Sequence, residues 1–194
     1  MLGHKEHSDI LCELVNIGAG KAGQVLNQMF SSHIILSIPI VKLFDFTLEN
    51  DAERFITSDI PNYLIEMNFT AEGLKGCAML LFKNDQVDTL VDALISIPYD
   101  DTTRKPLVIS TLSEVGNIVI NALIGSIGNF VQTNIDYSVP KCRCDVGKDA
   151  IEEIFKKTGT VIMAQTFFDL ERLKVDAHCM IILTDSGFIG RMKI

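Results

Sequence analysis

An internal repeat constrains this chain more than any other feature of its sequence. Twenty-two residues separate Asn16 from Pro39, and twenty-two separate Asn117 from Pro140. Self-similarity at a fixed offset indicates a repeated structural unit. We therefore predict a single domain, 1–194, made of two internal repeats of about 1–100 and 101–194. The residues that recur at an offset of 101 positions are Leu11, Glu13, Asn16, Ile17, Ile34, Ser37 and Pro39, which match Leu112, Glu114, Asn117, Ile118, Ile135, Ser138 and Pro140.

Each repeat opens with apolar residues at helical spacing, which predicts a long helix ending near residue 30 or 131. We place Pro106 in the first turn of the second helix, where its missing N–H costs nothing. An extended segment ending at the matched proline follows each helix, at 33–39 and 134–140. The predicted apolar faces are Leu11, Leu14, Val15, Ala22, Val25 and Met29 in the first helix and Leu112, Val115, Val119, Ala122, Leu123 and Phe130 in the second.

The remaining segments mainly predict strands. In the first repeat these are 53–59, 62–70 and 74–82, followed by a helix that Asn84 and Asp85 cap and that runs to about Ile97. In the second repeat, a short helix at 148–157 precedes a hairpin of 160–168 and 174–183 and a final strand at 187–193. Short connections favour antiparallel pairing. The predicted fold class is α+β, with pseudo-twofold duplicated α-β-β-β units sharing one largely antiparallel sheet and two long helices side by side on one face.

Composition narrows the possible partners. The chain of 194 residues is 47% hydrophobic and carries a net charge of −8, so nucleic acid and anionic membranes are poor default partners. No apolar run approaches ~18 residues, and the first residues lack the regions of a signal peptide. We therefore expect a cytoplasmic protein without membrane insertion. The five cysteines are predicted to be reduced thiols, and Cys142 and Cys144 lack a second ligand pair that would complete a metal site.

A polar row lies opposite the apolar face of each predicted helix. Its members are spaced i, i+4, i+7 and i+11, which places their side chains in line, about one turn apart. A solvated helix face usually mixes Lys and Glu, but neither row contains Lys or Arg, and both contain the same Glu-x-x-Asn. An ordinary exposed face stays open as an alternative. The rows are Asp9, Glu13, Asn16 and Gly20 in the first helix and Ser110, Glu114, Asn117 and Asn121 in the second.

A carboxylate and a carboxamide one turn apart can position groups but supply no strong nucleophile. The neutral Asn amide can hold a water molecule at a fixed angle, and the Glu carboxylate can bind a partner's Lys. Such positioning can remove up to ~7–11 kcal/mol of a reaction barrier. Phosphoryl transfer suits this kind of catalysis, because it chiefly needs an aligned nucleophile and charge neutralisation.

The pattern Asp9-x-x-x-Glu13-x-x-Asn16, then twenty-two residues to Pro39, resembles the signature of the CheC/FliY/CheX chemotaxis phosphatases, as does Ser110-x-x-x-Glu114-x-x-Asn117 before Pro140. The resemblance implies hydrolysis of the phospho-aspartate of the response regulator CheY. It implies that Asn16 and Asn117 align the attacking water and that Glu13 and Glu114 pair with a Lys of the regulator. The protein would need no cofactor of its own, and magnesium would be held by the regulator.

Within that family, two intact motifs and a length near 200 residues resemble CheC. CheC-type members often bind the receptor deamidase CheD, for which the acidic segment 148–157 is either a docking surface or an ordinary solvated helix. Gly18, Gly20 and Gly23 loosen the first helix, and Gly20 leaves that helix without an equivalent of Asn121. We therefore predict that the second site is the more active of the two.

Two other functions are open to a chain of this sequence. The stronger is a non-catalytic adaptor that binds phosphorylated regulator, CheD or flagellar-switch partners through the same Glu and Asn side chains. A hydrolase with its own nucleophile or metal is disfavoured, because no Gly-x-Ser-x-Gly, Walker, His-Glu-x-x-His or Cys-x-x-Cys pattern occurs. His33 and His178 lie in apolar segments and are predicted to be packed residues, not catalytic bases.

Overall fold

The computed structural model describes residues 4–31, 33–45, 63–72, 74–95, 100–144, 146, 160–170 and 173–184. The segments predicted at 53–59, 148–157 and 187–193 lie outside these residues. The helices and strands, in chain order, are α1 His4–Phe30, β1 Ile34–Asp45, β2 Tyr63–Ala71, β3 Leu74–Phe82, α2 Asn84–Leu94, α3 Asp101–Phe130, β4 Asp136–Tyr137, β5 Lys141–Cys144, β6 Thr160–Leu170 and β7 Leu173–Leu183.

The strands form one antiparallel sheet in the order β1-β6-β7-β3-β2, and β4 and β5 both pair with β2. The predicted α+β class and shared antiparallel sheet are confirmed. The strands of the two repeats occupy equivalent places in this order. β1 corresponds to β4 and β5 at the opposite edge, β2 corresponds to β6, and β3 corresponds to β7 at the centre. At the centre, Met79 of β3 pairs with Met180 of β7, and these residues are offset by the same 101 positions as the sequence repeat. A pseudo-twofold axis would produce this arrangement; descent by duplication stays a proposal.

Helices α1 and α3 lie side by side and antiparallel. Gly18 of α1 approaches Ala122 and Leu123 of α3, and the Ser126 hydroxyl donates a hydrogen bond of 2.6 Å to the carbonyl of Leu14. Because Gly18 has no side chain, the two backbones come into direct contact there. This contact corrects the interpretation of Gly18 as a residue that merely loosens the helix. One continuous core, formed by the inner faces of both helices, α2 and one face of the sheet, holds them in place.

The predicted apolar face of α3 is buried or half-buried throughout, but that of α1 is only partly correct. Val25 and Met29 are about half exposed, while Leu26 is buried in their place. The reason is the position of β1, whose backbone passes 3.5 Å from a Cβ built on Gly23. The strand therefore covers the Gly23 and Leu26 side of the last turns and leaves Val25 and Met29 in solvent.

Two helix starts also differ from the prediction. Asp100 caps α3, because its side chain accepts the N–H groups of Thr102 and Thr103 and the Thr103 hydroxyl accepts the N–H of Asp100. The helix therefore begins before Pro106, which lies inside it rather than in its first turn. Helix α2 has Lys83 at its N-cap, without a side-chain cap bond, and it ends at Leu94 rather than near Ile97.

By length and composition alone, the stretch Thr102–Phe130 of α3 could cross a membrane, although it contains no unbroken apolar run of ~18 residues. Half of its apolar window is buried inside the protein. The buried residues pack against α1 and the sheet, as in the core helix of a globular domain.

The Asp100 cap gives a testable pH dependence. Hydrogen bonds from the Thr102 and Thr103 hydroxyls, and from the Thr103 N–H, lower the pKa of Asp100 to about 2. A carboxylate whose pKa is lower in the folded state stabilises the fold above its unfolded pKa and loses that effect as pH falls through the folded pKa. We expect Asp100→Ala to lower the midpoint of thermal unfolding at pH 7, and the deficit to shrink between about pH 4 and pH 2.

The control is Asp100→Asn, since Asn is an equally good N-cap that does not titrate. The unfolding midpoints of the wild type, Asp100→Ala and Asp100→Asn are measured by circular dichroism at pH 7, 5, 3 and 2. If the difference in unfolding midpoint between the wild type and Asp100→Ala stays constant down to pH 2, the ionised cap does not have this role.

Candidate functional site

The first polar row lies on the outer surface of α1. The side chains of Asp9, Glu13 and Asn16 are exposed, and Gly20 continues the row in solvent. The neighbouring residues Leu11, Leu14 and Val15 are buried, so α1 presents the row directly away from the core. A partner protein can therefore reach the carboxylate of Glu13 and the amide of Asn16.

The amide of Asn16 is fixed by three hydrogen bonds. Its Nδ2 donates to the carbonyl oxygen of Cys12 at 2.9 Å and to Cys12 Sγ at 3.5 Å. Its Oδ1 accepts the backbone N–H of Ile38 in β1 at 3.3 Å. The first site is thus tied to a strand twenty-two positions further along the chain.

The matched proline explains that contact. Between Ser37 and Ile40 the register of β1 against β6 shifts by one residue, because three steps along β1 correspond to two steps from Phe167 to Gln165. Such a bulge interrupts the ladder, and Pro39 has no N–H to contribute to it. The Ile38 N–H, next to Pro39, instead donates to Asn16. The constant spacing between Asn and Pro in the sequence therefore has a structural cause at the first site.

The second polar row, on α3, is more recessed. Ser110 is exposed, whereas Glu114, Asn117 and Asn121 are half-buried. The Asn121 Nδ2 donates to Asn117 Oδ1 at 2.9 Å. The residue that matches Cys12 is Ser113, and its hydroxyl donates to the carbonyl of Ile109 at 2.7 Å.

Pro140 accompanies the same kind of irregularity as Pro39. Four steps from Tyr137 to Lys141 correspond to three steps along β2, so one extra residue interrupts the pairing of β4 and β5 with that strand. The residues before the two prolines differ in burial, however. Val139, which matches the fully buried Ile38, is 81% exposed, and within the described residues its N–H makes no hydrogen bond to Asn117. The two copies therefore share their backbone pattern but surround the two amides differently.

Other groups with possible chemistry are less suited to a site. Burial, followed by the effect of Cys144, raises the pKa of the Cys142 thiol to about 11, so it is protonated at neutral pH. Burial, followed by the charge of Lys83, lowers the pKa of the half-buried His178. His33 is exposed immediately before β1, so its predicted packing is wrong. Among the described residues, no three or more His, Cys, Asp or Glu side chains form a group that could hold a metal.

Similar structures define the class of fold. The structure of Thermotoga maritima FliY matches with a TM-score of 0.69 at 18% identity and covers 99% of this chain and 96% of that chain. The FliM middle domain of H. pylori matches with a TM-score of 0.64 at 12% identity, covering 97% and 99%. A chain of the CheX-CheY-BeF3-Mg²⁺ complex of Borrelia burgdorferi matches with a TM-score of 0.60 at 15% identity, covering 90% and 99%. The protein thus has the fold of these chemotaxis and flagellar-switch structures.

The sequence comparison makes the class more specific. The CheY-P phosphatase CheC of Bacillus subtilis (strain 168) is 26% identical over 152 residues, which cover 77% of this chain and 71% of the relative. No protein-family model matches the chain. The resemblance predicted from the two motifs is confirmed: the chain is similar in sequence to CheC and similar in fold to the FliY and CheX structures.

Proposed function

We propose that the protein is a phosphatase that hydrolyses the aspartyl phosphate of a CheY-type response regulator. The observation that carries the proposal is that each long helix places a Glu and an Asn one turn apart at the surface, with the Asn amide held by hydrogen bonds. The CheC relative, named a CheY-P phosphatase, and the CheX-CheY complex support the same reaction and the same kind of partner.

In this reaction a water oxygen attacks the phosphorus atom, and the bond between phosphorus and the regulator's Asp oxygen breaks. The products are inorganic phosphate and the free carboxylate of the regulator. The amides of Asn16 and Asn117 orient the water, while the carboxylates of Glu13 and Glu114 bind a Lys of the regulator. Asp9 and Ser110 extend the docking surface by one turn. Magnesium stays in the regulator's site, so this chain contributes only docking and orientation.

An adaptor function is the second candidate. The FliM structures, one of them a FliG-FliM complex, have the same fold and favour binding to flagellar-switch proteins. An adaptor would use the exposed Glu and Asn side chains to hold the phosphorylated regulator without accelerating its hydrolysis. Binding of CheD stays a separate proposal that follows from the CheC resemblance alone.

Decay of a radiolabelled phosphoryl group on a purified CheY-type regulator separates the two functions. We expect the wild-type protein, at substoichiometric concentration with Mg²⁺, to accelerate the loss of label to inorganic phosphate. Pull-down of the phosphorylated regulator is measured on the same samples. Binding without acceleration would establish the adaptor, and neither binding nor acceleration would contradict both functions.

A further inference from the structure

The two sites orient their Asn amides by different means. At the first site, the bonds to Asn16 come from Cys12 on its own helix and Ile38 on the bulged strand. At the second site, the bond to Asn117 comes from Asn121, one turn further along α3. The first row has Gly20 at this position, and Gly20 has no side chain that could donate a hydrogen bond.

The bond from Asn121 selects one of the two orientations of the Asn117 amide. Because Asn121 Nδ2 is the donor, Asn117 must turn its Oδ1 toward Asn121 and its Nδ2 away from it. A carbonyl oxygen has two lone pairs, so Asn117 Oδ1 can still accept a hydrogen bond from a water molecule. The Nδ2 group of Asn117 makes no hydrogen bond to the other described residues.

A buried atom of Asn121 supports this orientation. Asn121 Oδ1 is buried and has no hydrogen-bond partner among the described residues. If both side-chain amides were rotated by 180°, the Nδ2 group of Asn121 would occupy that buried position without an acceptor. Two N–H donors would then be unpaired instead of one oxygen. Buried polar groups are nearly always paired, and an exception in a polar row next to the Asn117 amide calls for an explanation.

We propose that Asn121 is a positioning residue that fixes the side-chain amide of Asn117 in the orientation that aligns water. This inference deepens the proposed function and rests on it. Asn121 does not touch the reacting atoms; it acts through its 2.9 Å bond to Asn117. The second site thereby carries its own orienting group on a rigid helix, whereas the first depends on the register of an edge strand.

The test uses the full-length protein with Asn16→Ala, so that only the second site is active, and compares Asn121→Ala and Asn121→Asp. Loss of the orienting bond should lower the maximal rate of phosphoryl decay about tenfold or more and leave KM for the phosphorylated regulator within about twofold. Asn129→Ala, the same substitution at an exposed position of α3, is the matched control and should change neither quantity.

A measurement on the free protein separates positioning from folding. Side-chain ¹⁵N relaxation of the Asn117 amide should show loss of order in Asn121→Ala. In Asn121→Asp the amide should stay ordered but reverse, because an ionised carboxylate accepts but does not donate, and the rate should still fall. An unchanged rate in Asn121→Asp, or an equally ordered Asn117 amide in Asn121→Ala, would overturn the inference. If neither the wild-type protein nor the Asn16→Ala parent accelerates decay, the proposed function fails, and the relaxation data still decide the role of Asn121.

Discussion

Replacing Asn16 and Asn117 together with alanine is expected to return phosphoryl decay of the regulator to its spontaneous rate. In the proposed mechanism these two amides orient the attacking water, and loss of such alignment costs about 10²-fold or more. Both residues lie on helix surfaces, and Ala is a better helix former than Asn, so the fold should persist. Single-turnover decay of labelled regulator measures the effect, and binding of the regulator should be largely retained.

The single variants distinguish the two sites. Asn117→Ala should remove more activity than Asn16→Ala, because both ends of the Asn16 amide already bond within the protein, whereas Asn117 keeps its Nδ2 group for solvent or a partner. Thermal melts of each variant check that the fold is intact. Unchanged acceleration by the double variant would contradict the roles proposed for both residues.

Gly18→Ala is expected to destabilise the protein by about 1–3 kcal/mol, the usual cost of adding volume to a packed core. A Cβ at this position would lie 2.7 Å from the Ala122 carbonyl oxygen and 2.8 Å from Leu123 Cα. These are backbone atoms that cannot rotate away, so α1 and α3 would have to separate and strain the bond between Ser126 and Leu14. Urea unfolding followed by circular dichroism gives the change in free energy.

Gly20→Ala is the matched control for that experiment. A Cβ on Gly20 meets nothing within 4 Å, and the residue lies in the same helix two positions further on. Removing a glycine from an exposed helix interior should stabilise the protein by about 0.4–1 kcal/mol. Equal effects of the two substitutions would show that helix propensity, and not the contact between the helices, determines the result.

Much of the fold could be predicted because its signals are local. The hairpin of β6 and β7 and the long α3 follow from hydrophobic periodicity, which a single sequence displays directly. One error concerns a tertiary contact and another a local capping signal. The exposure of Val25 depends on where β1 crosses α1. The start of α3 is set by the Asp100 cap, five residues before the point that Pro106 indicates as a start signal.

The candidate site was also predictable only in its local features. Helical spacing alone places Glu13 and Asn16, or Glu114 and Asn117, in one row. The partner of Asn16 could not be predicted, because it is a backbone N–H released by a strand bulge twenty-two positions away. The fixed number of residues between Asn and Pro reflects that contact, but the contact can be identified only from the register of the sheet.

The pairing of β1 with β6 and of β2 with β4 and β5 means that each half supplies strands to the other half's side of the sheet. Both long helices are held mainly by their buried faces in the shared core, and not by their polar rows alone. Substitutions could therefore remove the function of one polar row while both halves still maintain the fold and keep that row at the surface. Two copies of a motif in one chain thus need not mean two working centres.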